Sequence, residues 1–389
     1  MVDRRSTQTT CRRDLVSSFL PYGRQCIDDS DVEAVVSALR SDWLTTGPAV
    51  DAFEQDLSKQ TSASHCISFA NGTAALHGAM HALALQPGDE VIVPAITFVA
   101  SANAAVYCGA VPVFADVLQD TLLIDPKDVE RKITSRTRCI VAVDYAGQPC
   151  DYDTLHVIAK KYNLHLVADA CHSLGGSYKT KAVGSLADIT AFSFHPVKPI
   201  TTAEGGAATT NSEKLAVRLR AFRSHGIFSD FRQREKNATF EYSMETLGYN
   251  YRLSDLHCAL GIAQLKKLSA FRIKRKDLAE CYQTLLHRMP DITPLTVSLH
   301  VIHGWHLFVV KVPGDRNILF TKLRESGIGV NVHYLPVYLH PFYQKTFGYA
   351  AGLCPVAEQN YKKILTLPLY PGMNTTDCAR VVKALETNK

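Results

Sequence analysis

Short apolar segments alternate with longer amphipathic segments over the first two-thirds of the chain. Most of the apolar segments are continuous and rich in β-branched residues, which is typical of strands covered on both faces of a parallel sheet. They are "HCISFA" (65–70), "EVIVPAI" (90–96), "VPVFADV" (111–117), "RCIVAVDY" (138–145), "LHLVADA" (164–170), "ITAFSFH" (189–195) and "GGAATT" (205–210). The stretches between them, such as "TAALHGAMHALAL" and "YDTLHVIAKKYN", have the spacing of amphipathic helices. This alternation predicts an α/β domain.

The C-terminal part of the chain has a different pattern. It contains "SDLHCALGIAQLKKLSAFRIKRKDLAECYQTLLHRM" as one helical pattern, continuous or kinked, then a strand "HLFVVKV", a helix "RNILFTKLRESG", a strand "GVNVHYL" and a closing helix "TTDCARVVKALETN". Such an order predicts a smaller α+β domain. We therefore divide the chain into a flexible tail over residues 1–20, a large α/β domain over 21–265 and a small α+β domain over 266–389.

Composition excludes several classes of protein. A formal net charge of +5 on 389 residues is small, and no block of five Lys or Arg residues occurs, so we expect no nucleic-acid partner. The 11 cysteines are scattered singly, without C-x-x-C or zinc spacing, which favours free thiols in a reducing cytoplasm and no metal site. The N-terminus lacks the apolar core of a secretory signal, and no stretch reaches the roughly 18 apolar residues that span a bilayer. We expect a cytoplasmic protein without a membrane partner.

Common nucleotide and metal motifs are also missing. The chain contains no G-x-x-x-x-G-K-[ST], no G-x-G-x-x-G and no H-E-x-x-H. Their absence disfavours P-loop nucleotide hydrolysis, nicotinamide-dependent redox chemistry, a Rossmann-like nucleotide-binding protein and zinc-dependent hydrolysis.

Two predicted strands end in residues suited to an anionic, ring-containing ligand. Gly72 and Thr73 lie where a strand passes into a helix, whose N-terminal N–H groups can bind phosphate. Asp169 lies at the end of another buried strand, where α/β sheets bind ligands, and His172 is three residues further on. Taken singly, the first feature is more typical of a helix cap by Asn71 or Thr73 without a ligand, and the second is equally typical of an aspartate that caps a turn.

A third strand end carries a lysine. Lys198 follows "ADITAFSF" and lies between Pro196 and Pro199, which fix the backbone on either side. A lone lysine in a loop is ordinarily a surface residue, but an enclosed lysine with a lowered pKa can form a Schiff base. Phosphate-binding turn, carboxylate and lysine on one sheet are the groups that bind pyridoxal phosphate.

The chain resembles the DegT/DnrJ/EryC1/StrS nucleotide-sugar aminotransferases, which are fold-type I pyridoxal-phosphate enzymes. The resemblance extends from "PYGRQCIDDSDVEAVVSALRSDWLTTGPAVDAFE" to the last helix and is carried by "LTTGP", "NGTAAL", "VPAITFVASANAA", "GAVPVFADV", "DACHSLGG", "SFHPVKPITTAEGGA", "RSHGI" and "GYNYRLSDLHCALGIAQL". Within the family, "VDYAGQPCD" and "HPVKPITTAEGGA" are most similar to aminotransferases of pseudaminic acid biosynthesis. Departures from many relatives occur at His257, Cys258 and Tyr338, and they bear on substrate contacts rather than on catalysis.

The resemblance assigns roles to individual residues. Lys198 would hold the cofactor through a Schiff base and act as the proton carrier, while Asp169 would pair with the ring nitrogen. The other cofactor-binding residues would be Gly72, Thr73 and Ser193 at the phosphate, Phe98 on the ring face, His172 near the ring hydroxyl and, from the neighbouring subunit, Asn250. The sugar-nucleotide side would be lined by Tyr22, Asp42, Trp43, Leu44, Thr45, Asn331, Val332, His333 and Tyr334.

The activity implied is transamination by a homodimer with shared active sites. The amino group would pass from L-glutamate to C4 of a UDP-linked 4-keto-6-deoxy-N-acetyl-hexosamine, giving a UDP-4-amino sugar for bacterial surface glycans. Alternatives are a different nucleotide-linked keto sugar as substrate, or a non-catalytic regulator that binds pyridoxal phosphate. Family members that act as dehydratases carry His at the lysine position, and Lys198 argues against that reaction.

Overall fold

A computed structural model describes residues 19–229 and 231–389. Most of the predicted N-terminal tail therefore lies outside the described residues. Its last residue, Leu20, is buried, and its N–H donates a hydrogen bond to the carbonyl of Gly327 at 2.9 Å. Leu20 also pairs with Ile328, so the chain is already part of the fold at this position.

Strands and helices alternate through the first part of the described chain. The strands are β1 His65–Phe69, β2 Glu90–Pro94, β3 Val111–Ala115, β4 Thr137–Val143, β5 His165–Asp169, β6 Ser177–Tyr178, β7 Lys181–Ala182, β8 Ile189–Ser193, β9 Gly206–Thr210, β10 Thr293–Pro294, β11 Val301–Ile302, β12 Phe308–Lys311 and β13 Ile364–Leu367. The helices are α1 Asp29–Leu39, α2 Pro48–Thr61, α3 Gly72–Ala82, α4 Ala100–Tyr107, α5 Pro126–Arg131, α6 Tyr152–Tyr162, α7 Glu213–Arg223, α8 Phe231–Lys236, α9 Asp255–Leu265, α10 Leu268–Leu286, α11 Arg316–Glu325, α12 Pro341–Phe347, α13 Pro355–Tyr361 and α14 Thr375–Asn388.

A seven-stranded sheet forms the centre of the molecule, in the order β1-β9-β8-β5-β4-β2-β3. Its strands coincide with the seven apolar segments of the sequence. All neighbours are parallel except β9, which runs antiparallel to both β1 and β8. The strands are mostly buried on both faces, which explains why their sequences are continuously apolar. The prediction of a mostly parallel sheet between helices is confirmed.

The C-terminal part contains a three-stranded antiparallel sheet, β10-β12-β13, packed with α10, α11 and α14. Its core is a second cluster of buried apolar side chains, which includes Leu20. The long helical pattern is interrupted between α9 and α10, so the kinked alternative is correct. The division of the chain at residue 265 stays a prediction.

One predicted strand, "GVNVHYL", is wrong. Within it, Asn331 forms only an isolated bridge, to Thr366, and Ile328, just before the segment, forms another, to Leu20. The backbone of Asn331 exchanges two hydrogen bonds with Thr366, at 3.2 and 2.8 Å, and no regular ladder follows. The alternating apolar pattern is satisfied because Val330 is buried in the second cluster, Val332 packs against both apolar clusters, and Tyr334 packs against the cluster around the seven-stranded sheet.

The expectations about cysteines, membrane-spanning helices and metal sites can be checked on the described residues. Nine cysteines among them are free, whereas Cys26 is disulfide-bonded, so the expectation of free thiols is wrong at that position. The single scattering of the cysteines gave no sign of the bond. Within residues 19–229 and 231–389, no helix has both the length and the hydropathy needed to cross a membrane, and no group of His, Cys, Asp and Glu suits a metal ion.

Candidate active site

A cavity of about 840 Å³ lies where several strands of the sheet end. It receives residues from the turns after β1, β5 and β8, as expected for ligand sites in open α/β sheets. Twelve of the predicted site residues line it, namely Tyr22, Gly72, Thr73, Phe98, Asp169, His172, Ser193, Lys198, Asn331, Val332, His333 and Tyr334. The structure thus brings together groups that are far apart in the sequence.

The N-terminus of α3 forms one wall of the cavity. Asn71 is the N-cap, and its side-chain oxygen accepts a hydrogen bond from the N–H of Ala74 at 2.8 Å. The cap interpretation is therefore correct for Asn71, and it leaves Gly72 and Thr73 in the first turn. A Cβ at Gly72 would lie 2.7 Å from the Cβ of Ser193, so only glycine allows the helix end and Ser193 to approach this closely. Free N–H groups and two hydroxyls here suit a phosphate.

Asp169 is held at the end of β5 by hydrogen bonds from its own chain. The Ser101 hydroxyl donates to Oδ2 at 2.6 Å, and the Thr97 hydroxyl lies 2.7 Å from that of Ser101. The N–H of Cys171 donates to Oδ1 at 3.3 Å. The side chains of Asp169, Ser101 and Thr97 are all buried, so the orientation of the carboxylate is fixed. Ser101 and Thr97 were not identified from the sequence, where their spacing of four residues across the start of α4 was the only signal.

Lys198 also lines the cavity, in the turn after β8. Its N–H donates to the carbonyl of His195 at 2.8 Å, which closes the turn. Burial lowers the pKa of its ammonium group, although Cys171 and Asp169 oppose that shift. A lowered pKa increases the fraction of neutral amine, which is the nucleophilic form.

His172 lies among aromatic side chains beside Lys198. Its ring centroid is 4.4 Å from that of His306, and its Nε2 is 3.3 Å from the Tyr334 hydroxyl. Burial, with a further contribution from Lys198, lowers the pKa of both histidines well below the usual value. Both are therefore neutral at pH 7. Nδ1 of His172 and Nδ1 of His306 have no hydrogen-bond partner among the described residues. His306 was not identified from the sequence.

Residues 331–334 form another part of the cavity wall. Burial lowers the pKa of His333 to about 3, and its Nδ1 lies 2.8 Å from the Thr366 hydroxyl. Phe98 is 55% exposed and faces the cavity, with its ring centroid 6.0 Å from that of Tyr334. An exposed ring at this place is free to stack on a planar ligand.

The remaining predicted site residues do not line this cavity. Asp42, Trp43, Leu44 and Thr45 are exposed, in a loop that contacts the start of α9. The carbonyl of Leu44 accepts from the N–H of Asp255 at 3.1 Å, and Thr45 pairs with Ser254. Asn250 is also exposed, and its backbone pairs with Ser224. It does not cap α9, whose N-cap is Ser254.

The chemistry of the cavity fits pyridoxal phosphate. A helix N-terminus and two hydroxyls would hold the phosphate, the fixed carboxylate of Asp169 would pair with a protonated ring nitrogen, and Lys198 would bond to the aldehyde. Because a Cβ at Gly72 would meet Ser193, the glycine keeps the two phosphate-binding groups close together.

Comparisons with known proteins agree with this chemistry. The model of the DegT/DnrJ/EryC1/StrS aminotransferase family matches residues 25–386. The spore coat polysaccharide biosynthesis protein SpsC of Bacillus subtilis is 38% identical over 374 residues, which are 94% of this chain and 96% of SpsC. Among solved structures, Helicobacter pylori PseC, an aminotransferase involved in the biosynthesis of pseudoaminic acid, matches with a TM-score of 0.89 at 33% identity, covering 95% of this chain and 99% of PseC.

A structure with bound cofactor is also similar. Spr1654 from Streptococcus pneumoniae, in its PLP-form, matches with a TM-score of 0.88 at 32% identity and covers 95% of this chain and 98% of its own. The family match spans nearly the whole chain, and the fold-type I prediction is confirmed. The chain therefore belongs to the DegT/DnrJ/EryC1/StrS aminotransferase family and is a pyridoxal-phosphate-dependent aminotransferase.

Proposed function

We propose that this aminotransferase moves the amino group of L-glutamate to C4 of a UDP-linked 4-keto-6-deoxy-N-acetyl-hexosamine. The product would be a UDP-4-amino sugar for a bacterial surface glycan of the pseudaminic acid type. The observation that carries the proposal is that one cavity is lined by Lys198, Asp169 and residues 331–334. The likeness to PseC and SpsC, whose names refer to sugar biosynthesis, supports the class of acceptor.

The chain's own residues divide the work of the reaction. Pyridoxal phosphate, when bound, supplies an aldehyde that condenses with amines and a ring that accepts electrons. Asp169 keeps the ring nitrogen protonated. Lys198, released as a neutral amine, moves a proton to and from the carbon that carries the amino group. Gly72, Thr73 and Ser193 hold the phosphate, so that the position of the reacting carbon is fixed relative to Lys198.

The sugar nucleotide would enter from the side of Tyr22 and residues 331–334. Burial raises the pKa of the Tyr22 hydroxyl, while a hydrogen bond with Asn331 opposes the shift. The hydroxyl is therefore neutral at pH 7 and can donate a hydrogen bond to a sugar oxygen. Residues 42–45 would complete the sugar-nucleotide site, and Asn250 would act at the partner subunit's cofactor phosphate. Asn250 is exposed in the single chain, as a residue that serves a second subunit must be.

We also propose a cytoplasmic location. The nine free cysteines of the described chain are compatible with a reducing compartment. Nucleotide sugars would be available to the enzyme there.

The proposal is tested in two half-reactions. Loss of the absorbance band of the lysine-bound cofactor on adding L-glutamate, but not L-aspartate or L-alanine, would support the donor. The aminated enzyme is then given UDP-linked 4-keto-6-deoxy-N-acetyl-hexosamines and, as a comparison, a dTDP-linked 4-keto-6-deoxyhexose, and the products are identified by NMR. We expect return of the band and a C4 amine with the UDP sugars alone.

Each outcome separates the candidate functions. Turnover of the dTDP sugar alone would favour the alternative of a different nucleotide-linked substrate. Lys198→Ala is the control, because it removes the covalent bond and the proton carrier at a position that is not part of the apolar core. If Lys198→Ala turned over at near the wild-type rate, the assignment of Lys198 would be wrong.

A further inference from the structure

Arg275 lies on α10, directly behind the turn that carries Lys198. Its side chain is only 3% exposed. The guanidinium group donates from Nη2 to the carbonyl of Lys198 and from Nη1 to the carbonyl of Pro199, both at 3.2 Å. The Nε of Arg275 has no partner among the described residues.

The burial of this cation is not explained by packing. Buried arginines are ordinarily paired with a carboxylate, because transfer of a charge out of water costs several kcal/mol. Burial lowers the pKa of the Arg275 guanidinium group to about 10. The side chain therefore stays charged at neutral pH. An apolar side chain of similar length could fill the same volume without that cost.

The geometry indicates what the guanidinium group does. Its two donors lie in a rigid fork and bind two consecutive carbonyls, which belong to the peptide groups before and after Pro199. The rest of the turn is closed by the N–H of Lys198, bonded to His195, and by the N–H of Thr202, bonded to Phe194. Holding the carbonyl of Lys198 fixes the backbone from which its flexible side chain starts, and so limits the positions that the amine can reach.

The same contact joins the lysine turn to the C-terminal part of the chain. Beyond Arg275, α10 contributes Leu278, Tyr282 and Leu286 to the second apolar cluster. That cluster also packs against residues next to the wall of the cavity, since Val330 belongs to it and Val332 contacts it. Helix α10 thus links the lysine turn to the core against which the cavity-lining Val332 packs.

We propose that Arg275 is a positioning residue for the catalytic lysine, which holds the carbonyls of Lys198 and Pro199 so that the amine points at the cofactor. The proposal rests on the cofactor of the family and not on the identity of the sugar.

The test compares Arg275→Met, which keeps the length and loses both donors, with Arg275→Lys, which keeps the charge and can bind one carbonyl. Lys276→Met, on the exposed face of the same helix, is the matched control. The primary measurement is a spectrophotometric pH titration of the lysine-bound cofactor without substrate. We expect the midpoint to shift by about half a pH unit or more in Arg275→Met, because the amine no longer has one fixed environment.

Turnover provides a second measurement. We expect kcat to fall about tenfold or more in Arg275→Met with KM changed by less than about threefold, because substrate contacts are untouched. Arg275→Lys should recover part of both effects, and Lys276→Met should match the wild type. Since the titration needs no substrate, failure of every sugar to react would not affect its result.

Two outcomes would overturn the proposal. One is an unchanged midpoint and an unchanged kcat in a folded Arg275→Met enzyme. The other is a loss of activity that follows loss of folded protein in thermal unfolding, with a wild-type midpoint and no recovery in Arg275→Lys. If Arg275→Met does not fold, Arg275→Lys provides the test. A wild-type midpoint and kcat in Arg275→Lys contradict the proposal, and a shifted midpoint with a lowered kcat supports it.

Discussion

Asp169 has its carboxylate oriented by a short chain of hydroxyl groups. Ser101 donates to its Oδ2 at 2.6 Å, and Thr97 lies behind Ser101 at 2.7 Å. A hydrogen bond to a charged acceptor contributes about 1.5–3 kcal/mol when it is buried. The Ser101 hydroxyl therefore holds Oδ2 in place. Oδ1 accepts only the longer hydrogen bond from the N–H of Cys171 and remains available for the ring nitrogen.

We expect Ser101→Ala to lower kcat about tenfold, because the carboxylate loses its closest donor and can rotate away from the ring. Thr97→Val, one step further from the carboxylate, should have a smaller effect. Asp169→Asn should cost several powers of ten, on the order of 4 kcal/mol or more in barrier, because the ring nitrogen loses its charged partner. Steady-state kinetics with both substrates measure all three. A wild-type kcat in Ser101→Ala would show that the hydroxyl only fills space.

At the scale of single residues, the sequence predicts the functional residues at strand ends, but it does not predict the residues that hold them in position. Asp169 and Lys198 could be found because parallel strands end at one edge of the sheet. Ser101 is 68 positions from Asp169, and Arg275 is 77 positions from Lys198. No local pattern encodes a contact between such distant positions, so only the folded chain reveals them.

The helices and strands were largely predictable from the sequence, and the wrongly predicted strand at residues 329–335 has a physical explanation. Strands buried on both faces require continuous apolar sequence, and all seven appear where that pattern occurs. In residues 329–335 an apolar alternation arises instead from an irregular segment that packs against two different clusters. Periodicity reports which side chains are buried, but it does not report whether the backbone pairs with a neighbour.

The loop at residues 42–47 is positioned by one carboxylate at the start of α9. Asp255 is buried, and its oxygens accept hydrogen bonds from the N–H groups of Gly47 at 2.8 Å and Ala49 at 3.0 Å. Gly47 is the N-cap of α2 and has no side chain to cap that helix itself. Asp255 therefore caps α2 from a distance and holds the loop that contains the proposed sugar-nucleotide residues.

We expect Asp255→Ala to destabilise the protein by about 2 kcal/mol, because one buried and one partly buried N–H donor lose their acceptor. In the protein that remains folded, the KM for the sugar nucleotide should rise more than the KM for the amino donor. Asp255→Asn keeps one acceptor oxygen and should lie between Asp255→Ala and the wild type. Urea unfolding gives the stability and steady-state kinetics give both KM values. An equal rise in both KM values would mean that the loop does not bind the sugar nucleotide.

On the scale of the whole molecule, one surface segment exposes many large apolar side chains. Phe240 is 90% exposed and Leu247 is 69% exposed, with Tyr242 and Met244 between them. Such a concentration of exposed apolar groups is typical of an interaction surface. Asn250 follows this segment directly and makes no side-chain hydrogen bond within the described chain. Symmetric dimers are the commonest oligomers, and a dimer formed here would place Asn250 against the second subunit.

A shared active site predicts that two inactive subunits restore each other. Lys198→Ala removes the lysine from its own site, whereas Asn250→Ala would remove a cofactor contact from the partner's site. In a mixed dimer one site collects both defects and the other is intact, so activity should return to about a quarter of wild type in an equal mixture, given random exchange of subunits. The measurement is turnover before and after exchange, with exchange itself followed by mass difference between tagged and untagged chains. Each variant alone, taken through the same exchange, is the control. If Asn250→Ala is inactive and exchange is complete but no activity returns, Asn250 acts within its own subunit.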